Sequence, residues 1–296
     1  MSLKIGVLMG GASSERIVSI NTGNAVISAC NDLSYSTTKF IFKNNYEKLL
    51  DEFKKHDIIF NALHGGIGEN GNIQSWLDKN QIKYTGSGPK ASKLCMDKAK
   101  SKKLAKVIGI QTPDWELVND PNAIPNLELP YVIKPNEQGS TFGISVVHNE
   151  REIRPAIERA LKYDFNVLVE KYIDGKELTL PIVGEKALPI IEIIPSHNFY
   201  DYECKYSEGL SHYECPANLN EIAAIKLKES TELLFKELGC NIYARADYIM
   251  DKEGVPYFLE MNTLPGMTST SLLPKSALAD GISFNQLIKN IIELSF

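Results

Sequence analysis

Glu260 and Asn262 stand two residues apart at the end of VPYFLEMN, 255–262, an apolar run that reads as a β-strand. Side chains two apart on a strand share a face. A carboxylate and a side-chain amide therefore look to one side where the chain turns through Leu264-Pro265-Gly266. The preceding segment, NIYARADYIM at 241–250, reads as a second strand, joined to the first through Asp251-Lys252-Glu253-Gly254. Acidic turn residues followed by a glycine are hairpin chemistry. On that strand Arg245 and Asp247 are also two apart. Pairing the strands carries Arg245, Asp247, Glu260 and Asn262 toward one another. The three oxygen donors of Asp247, Glu260 and Asn262 suit magnesium, which keeps some waters and takes other ligands from phosphates. An arginine beside them suits an anion whose charge grows during a reaction. The competing account is a surface ion-pair cluster.

Other segments present groups in the same manner. YVIKP, 131–135, is a strand that carries Lys134 at its end. NEQGSTFG follows, with hydroxyls at Ser140 and Thr141 and glycines at 139 and 143, and a strand resumes at ISVV. Backbone N–H groups of such a loop can close over phosphates while the lysine supplies charge. A plain hairpin with a polar loop is the competing account, and no Walker A pattern is present. KIGVLMG, 4–10, is a buried strand leading into Gly10-Gly11-Ala12-Ser13-Ser14-Glu15 and a helix marked by Ile17, Ile20, Ala25 and Val26. Ser14 is the expected cap and Glu15 a first-turn carboxylate, which either complements the helix dipole or faces a ligand. DIIFNALHG, 57–65, repeats the theme and ends in His64, a structural hydrogen-bonding group or a ligand contact. A helix from Asp97 to about Val107 carries lysines 98, 100, 102, 103 and 106 around its circumference. Most must therefore be solvated, leaving one or two for a ligand. Glu170 and Glu177 in VLVEKYIDGKELTLPIVG are candidates to reach ribose hydroxyls. The aromatic, irregular stretch from 198 to 219 places Lys205 and Tyr206 as lid residues. A strong helix over 220–238 is expected to bury Ile222, Ile225, Leu233 and Leu234.

These segments must be held by a scaffold of 296 residues, enough for two or three domains. The net charge is −5 with no basic tract, which argues against a nucleic-acid partner. The five cysteines show no CxxC or metal-like spacing, so reduced thiols and a cytoplasmic location are expected. The amino terminus is too short for a signal core, and no run approaches the length of a membrane span.

The same residues resemble the D-alanine–D-alanine ligase family of the ATP-grasp superfamily. The matching text is GGASSERIVS at 10–19, HGGIGENGNIQ at 64–74 and KPNEQGSTFG at 134–143. It continues with EKYIDGKEL at 170–178, FYDYECKY at 199–206, RADY at 245–248 and LEMNTLPGMTSTSLLPKSA at 259–277. The motifs run in family order along the whole chain. The resemblance implies an α/β fold of three domains. An amino-terminal parallel-sheet domain at 1–92 would precede two α+β ATP-grasp domains, 93–178 and 179–296, that clamp ATP. It implies joining of two D-alanines for peptidoglycan synthesis through an acyl phosphate and a tetrahedral intermediate, with ADP and phosphate released. Two magnesium ions would serve, with manganese able to substitute, and relatives resemble homodimers.

Carried over by position, Glu15 would hold the ammonium of the first D-alanine, with Ser140 and Tyr206 beside it and His64 near that substrate. Lys98, Lys134 and Lys205 would meet ATP phosphates. Glu170 and the backbone of Tyr172 and Ile173 would meet adenine, and Glu177 the ribose. Asp247, Glu260 and Asn262 would bind the metal ions, while Arg245 and the Gly266 N–H face the oxyanion. Ser271 and the Leu272 backbone would hold the second carboxylate. Asn70, Thr141, Tyr172 and Cys204 depart from the residues common in the family, and none of these changes removes a proposed functional group. Tyr206 argues against the branch that forms D-alanyl-D-lactate. A ligase of other carboxylates and amines is the wider alternative, and a non-catalytic nucleotide-binding regulator would lack the metal and phosphate groups found here.

Overall fold

The computed structural model describes residues 2–195 and 211–296. Three sheets organise it. The first is parallel, with β1 (Lys4–Gly10) between β2 (Ser36–Phe42) and β3 (Ile58–Asn61). From Ile5 onward β1 is buried throughout, which explains its unbroken apolar sequence. Helix α1 (Arg16–Asp32) makes the first crossover and α2 (Leu50–Phe53) the second. Glu15, not Ser14, occupies the cap of α1, and neither of its carboxylate oxygens bonds the helix end. Ser19, Thr22, Val26 and Cys30 form the buried face of α1, whereas Ile17 is 72% exposed and lies outside it.

α3 (Asn72–Lys79), α4 (Pro89–Met96) and α5 (Lys98–Val107) lead out of this sheet. The side chain of Asp97 accepts from Lys100 N and starts α5 where the sequence places it. The second sheet is antiparallel and runs β4-β7-β5-β6. Its strands are β4 (Trp115–Val118), β5 (Tyr131–Pro135), β6 (Ser145–Val147) and β7 (Val167–Lys171). β5 and β6 pair directly, so the glycine loop carrying Ser140 is the tip of a hairpin. α6 (Glu150–Ala160) covers this sheet through Ala156, Ile157 and Ala160.

The third sheet runs β11-β10-β8-β12-β13, with β9 (Lys186–Ala187) paired to β8. β8 is Gly175–Val183, β10 Ile191–Pro195, β11 Ser211–Glu214, β12 Tyr243–Asp251 and β13 Pro256–Asn262. Part of the stretch expected to be irregular is therefore ordered: residues 211–214 pair antiparallel with β10. α7 (Glu221–Glu237) packs on this sheet, but Leu227, Thr231, Leu234 and Phe235 are its buried residues. Ile222, Ile225 and Leu233 are exposed, contrary to expectation, because the sheet takes up the adjoining face. α8 (Leu272–Ala279) and α9 (Phe284–Glu293) end the chain. They return to the first sheet. Leu273, Ala277, Leu287, Ile288, Ile291 and Ile292 share one core with Ile5, Val7 and Phe60.

Candidate functional site

The expected hairpin forms, and its register sets the first part of the site. Arg245 is paired with Asn262 and Asp247 with Glu260, and the register shifts between Asp247 and Tyr248. Burial alternates along β12, so Ala244, Ala246 and Tyr248 enter the core while Arg245 and Asp247 face the cleft. Arg245 donates to both Asp247 oxygens, through Nε at 2.9 Å and Nη2 at 2.7 Å. Thr179 on β8 donates to Asp247 Oδ1 at 2.5 Å. Lys98 Nζ lies 3.0 Å from Glu260 Oε2 and donates to the Gln138 carbonyl at 2.8 Å. Asn262 Oδ1 accepts from Leu264 N at 2.8 Å and so shapes the turn that follows.

Two carboxylates and an amide oxygen on adjacent strands form an oxygen-only donor set, which fits magnesium or manganese and not a thiophilic ion. Among the described residues no cluster of three His, Cys, Asp or Glu side chains with metal-site geometry occurs, so a cation held here would depend on the Asn262 amide for its third protein donor. Both carboxylates meet cationic side chains, which a bound cation would have to replace as counter-charge.

The first sheet contributes from the opposite side. Glu15 is 6% exposed, and Ser140 at the tip of the β5–β6 hairpin donates to its Oε1. Gly65 has φ 66°, and a Cβ there would come 2.4 Å from Glu15 Oε2. Glycine is required here both by the backbone conformation and by the carboxylate. Ser13 Oγ accepts from Glu15 N and donates to the His64 carbonyl, tying the two loops together. His64 is buried. Its Nε2 is 3.0 Å from Thr22 Oγ1, its Nδ1 is 3.6 Å from Glu69 Oε1, and Thr22 in turn accepts from Met267 N. Asn70 Oδ1 accepts from Asn72 N at the start of α3, which gives that departure a local use.

The turn after β13 supplies the third wall. A Cβ on Gly266 would meet Ser271 Oγ at 2.7 Å, so a side chain here would displace that hydroxyl. Ser271 Oγ accepts from Thr268 N, and Leu272 opens α8 with its backbone N–H groups at a helix start. Glu15, His64, Lys98, Ser140, Arg245, Asp247, Glu260, Asn262, Gly266, Ser271 and Leu272 all line one cleft.

A second, more apolar cleft lies between the second and third sheets. It shares Lys98, Ser140, Glu177, Asp247 and Glu260 with the first. Lys134, Glu170, Tyr172, Ile173 and Glu177 line it. Lys134 donates to Glu170 Oε1, while Lys102 Nζ stands 2.8 Å from Oε2 as an ion pair without hydrogen-bond alignment. Glu170 is buried, which raises its pKa, but Lys102 and Lys134 outweigh burial and hold it below the ordinary carboxylate value. Burial pushes the Lys102 ammonium down to about 8 against the opposing pull of Glu170.

Of the residues singled out in the sequence, Lys205 and Tyr206 lie outside the described residues. All the other proposed site residues border the two joined clefts. Sequence reasoning missed Thr22, Glu69, Lys102 and Thr179. Lys102 had a readable signal, since it stands one helical turn from Lys98 and shares its face.

A model of the D-ala D-ala ligase C-terminus matches residues 103–293, and one of the D-ala D-ala ligase N-terminus matches residues 39–87. The chain belongs to the D-alanine–D-alanine ligase family. A D-alanine–D-alanine ligase from Pelotomaculum thermopropionicum is 43% identical over 311 residues, spanning 100% of this chain and 97% of that relative. The crystal structure of the Bacillus anthracis D-alanine–D-alanine ligase complexed with ATP is similar at a TM-score of 0.88 and 38% identity, covering 100% of this chain and 97% of that one. The VanG D-Ala:D-Ser ligase of Enterococcus faecalis is similar at a TM-score of 0.85 and 29% identity, with 100% of both chains covered. The three sheets thus carry the α/β ATP-grasp fold that the motifs imply.

Proposed function

We propose that the chain joins two D-alanines at the expense of ATP, for peptidoglycan synthesis. The observation that carries this reading is the convergence of three sheets on one cleft. It combines an ammonium-binding carboxylate at Glu15, an anion site at Arg245 and a helix start at Leu272 with the oxygen donors of β12 and β13. The first D-alanine binds with its ammonium on Glu15, and its carboxylate oxygen attacks the γ-phosphorus, so ADP leaves with the bridging electron pair. The amine of the second D-alanine, its carboxylate on Ser271 Oγ and the Leu272 N–H, then attacks the acyl carbon. Arg245 and the Gly266 N–H stabilise the tetrahedral oxyanion. Its collapse expels phosphate, and the amine nitrogen loses a proton.

Asp247, Glu260 and Asn262 would hold two Mg²⁺ ions, which when bound supply charge neutralisation at the β- and γ-phosphates. Lys98 and Lys134 supply positive charge on the protein side. Glu170, with the Tyr172 and Ile173 backbone, receives adenine, and Glu177 the ribose. The assignment of Lys205 to phosphate and Tyr206 to the first substrate belongs to the same proposal. So do the domain limits 1–92, 93–178 and 179–296.

A homodimer and a cytoplasmic location complete the reading. The described cysteines are unpaired, and no helix among the described residues is long and apolar enough to cross a membrane. Sedimentation tests the dimer. The reaction is tested with ATP, Mg²⁺ and a panel of D-alanine, D-serine and D-lactate. The expected outcome is D-alanyl-D-alanine by mass, with one ADP formed per dipeptide. ATP turnover without dipeptide at saturating D-alanine would defeat the proposal.

A further inference from the structure

α5 exposes Lys100, Lys103 and Lys106, buries Lys98 and turns Lys102 completely inward. Lys102 Nζ faces three partners: Glu170 Oε2 at 2.8 Å, Thr112 Oγ1 at 2.9 Å and the Phe258 carbonyl at 3.2 Å. Thr112 also donates to that carbonyl, at 2.7 Å. Two of its three donors bond Thr112 Oγ1 and the Phe258 carbonyl, and the ion pair with Glu170 Oε2 adds a third tie. These ties join α5 to β7 of the second sheet and β13 of the third. Lys102 does not line the nucleotide cleft, whereas Glu170 and Lys134 do. Among the described residues Lys134 has one tie, to Glu170 Oε1. One buried carboxylate thus serves two buried cations, one fully fixed and one held at a single point.

That asymmetry has a consequence for any anion entering the cleft. If Glu170 had Lys134 alone, drawing Lys134 toward a phosphate would strand a buried carboxylate, and the pair would resist separation. With Lys102 in place, Glu170 stays neutralised when Lys134 turns away. We propose that Lys102 is a positioning residue that keeps Glu170 compensated, freeing Lys134 to exchange that carboxylate for nucleotide phosphate. The proposal rests on the reading that Lys134 meets ATP phosphates. Lys102 touches no substrate; it sets the partner preference of a residue that does.

The test compares binding of ATP with that of adenosine, which lacks the phosphates, in wild type, K102M, K134M and K102M/K134M. The ATP-to-adenosine affinity ratio should fall about tenfold in K102M, the scale of one lost charge-assisted contact. K134M should then cost little more in the K102M background, because Lys134 is already held by Glu170. The KM for D-alanine should be unchanged in K102M. A ratio equal to wild type in K102M, or an equal cost of K134M in both backgrounds, overturns the proposal. An equal loss for ATP and adenosine overturns it too, since it marks a role in packing alone. A wild-type ratio in K134M instead overturns the underlying phosphate reading. Should K102M not fold, E170Q and K102M/E170Q replace it. With the carboxylate gone, Lys102 has nothing to compensate, so both should give the same ratio. A further loss on removing Lys102 would overturn the proposal.

Discussion

Glu15 is the residue whose sequence context and structural position differ most. Read locally, it is a first-turn carboxylate. In the fold it sits at the helix cap, but its carboxylate makes no cap bond; it turns into the cleft and receives Ser140. The proposed role as ammonium partner predicts that Glu15→Gln raises the KM for the first D-alanine by at least tenfold, from a penalty of roughly 2–5 kcal/mol for a buried unpaired charge. The KM for ATP should move little. Two-site kinetic analysis separates the two, and equal small changes would return Glu15 to a helix-start role. Glu260→Gln is expected to abolish most turnover while circular dichroism stays native, since an amide cannot neutralise a cation as a carboxylate does. Near-normal rates at low Mg²⁺ would reject that assignment. The placement of site residues was legible where strand alternation fixes direction, as at Arg245, Asp247, Glu260 and Asn262. It was not legible at Thr22, because its partners, His64 and Met267, come from other segments of the chain.

The elements were legible to within a residue or two wherever period and turn chemistry agreed. The β12–β13 hairpin, β5, and α5 with its Asp97 cap are examples. Which face of α7 is buried was not legible. The helix has isoleucines and leucines on more than one side, and only the third sheet decides between them. A measurable contrast follows. Leu234→Ala should cost about 2–5 kcal/mol, as for a buried leucine. Ile222→Ala, at a position 64% exposed, should stay within about 0.5 kcal/mol. Urea denaturation compares the two, and a large loss at Ile222 would mean that this face is covered in solution. Asn220 caps α7 by accepting from Ile222 N and Ala223 N, and Asn220→Ala should cost about 1 kcal/mol in the same assay.

At the scale of the whole molecule, stability should depend on pH through carboxylates at the joints between sheets. Burial raises the pKa of Asp97, but Lys100 and Asn136 outweigh it and leave the net shift downward. A depressed carboxylate contributes stability that is complete above its unfolded value and is lost as pH falls through the folded one. Denaturation midpoints should therefore decline on the acid side of the ordinary aspartate range. Asp97→Asn should flatten that decline; an unchanged acid limb in the variant would contradict the assignment. The order of the three sheets was legible from motif order, but the return of the last helices to the first sheet was not, because no local pattern encodes so distant a contact. That return sets a timetable for synthesis. Ribosomes add about 5–20 residues per second, so the first sheet emerges tens of seconds before α8 and α9. Through that interval the nascent chain holds Ile5, Val7 and Phe60 without the helices that finally share their core. The newborn amino-terminal segment is thus a natural client for chaperones, and a stop codon that removes only the last two helices would leave its opposite end unsealed.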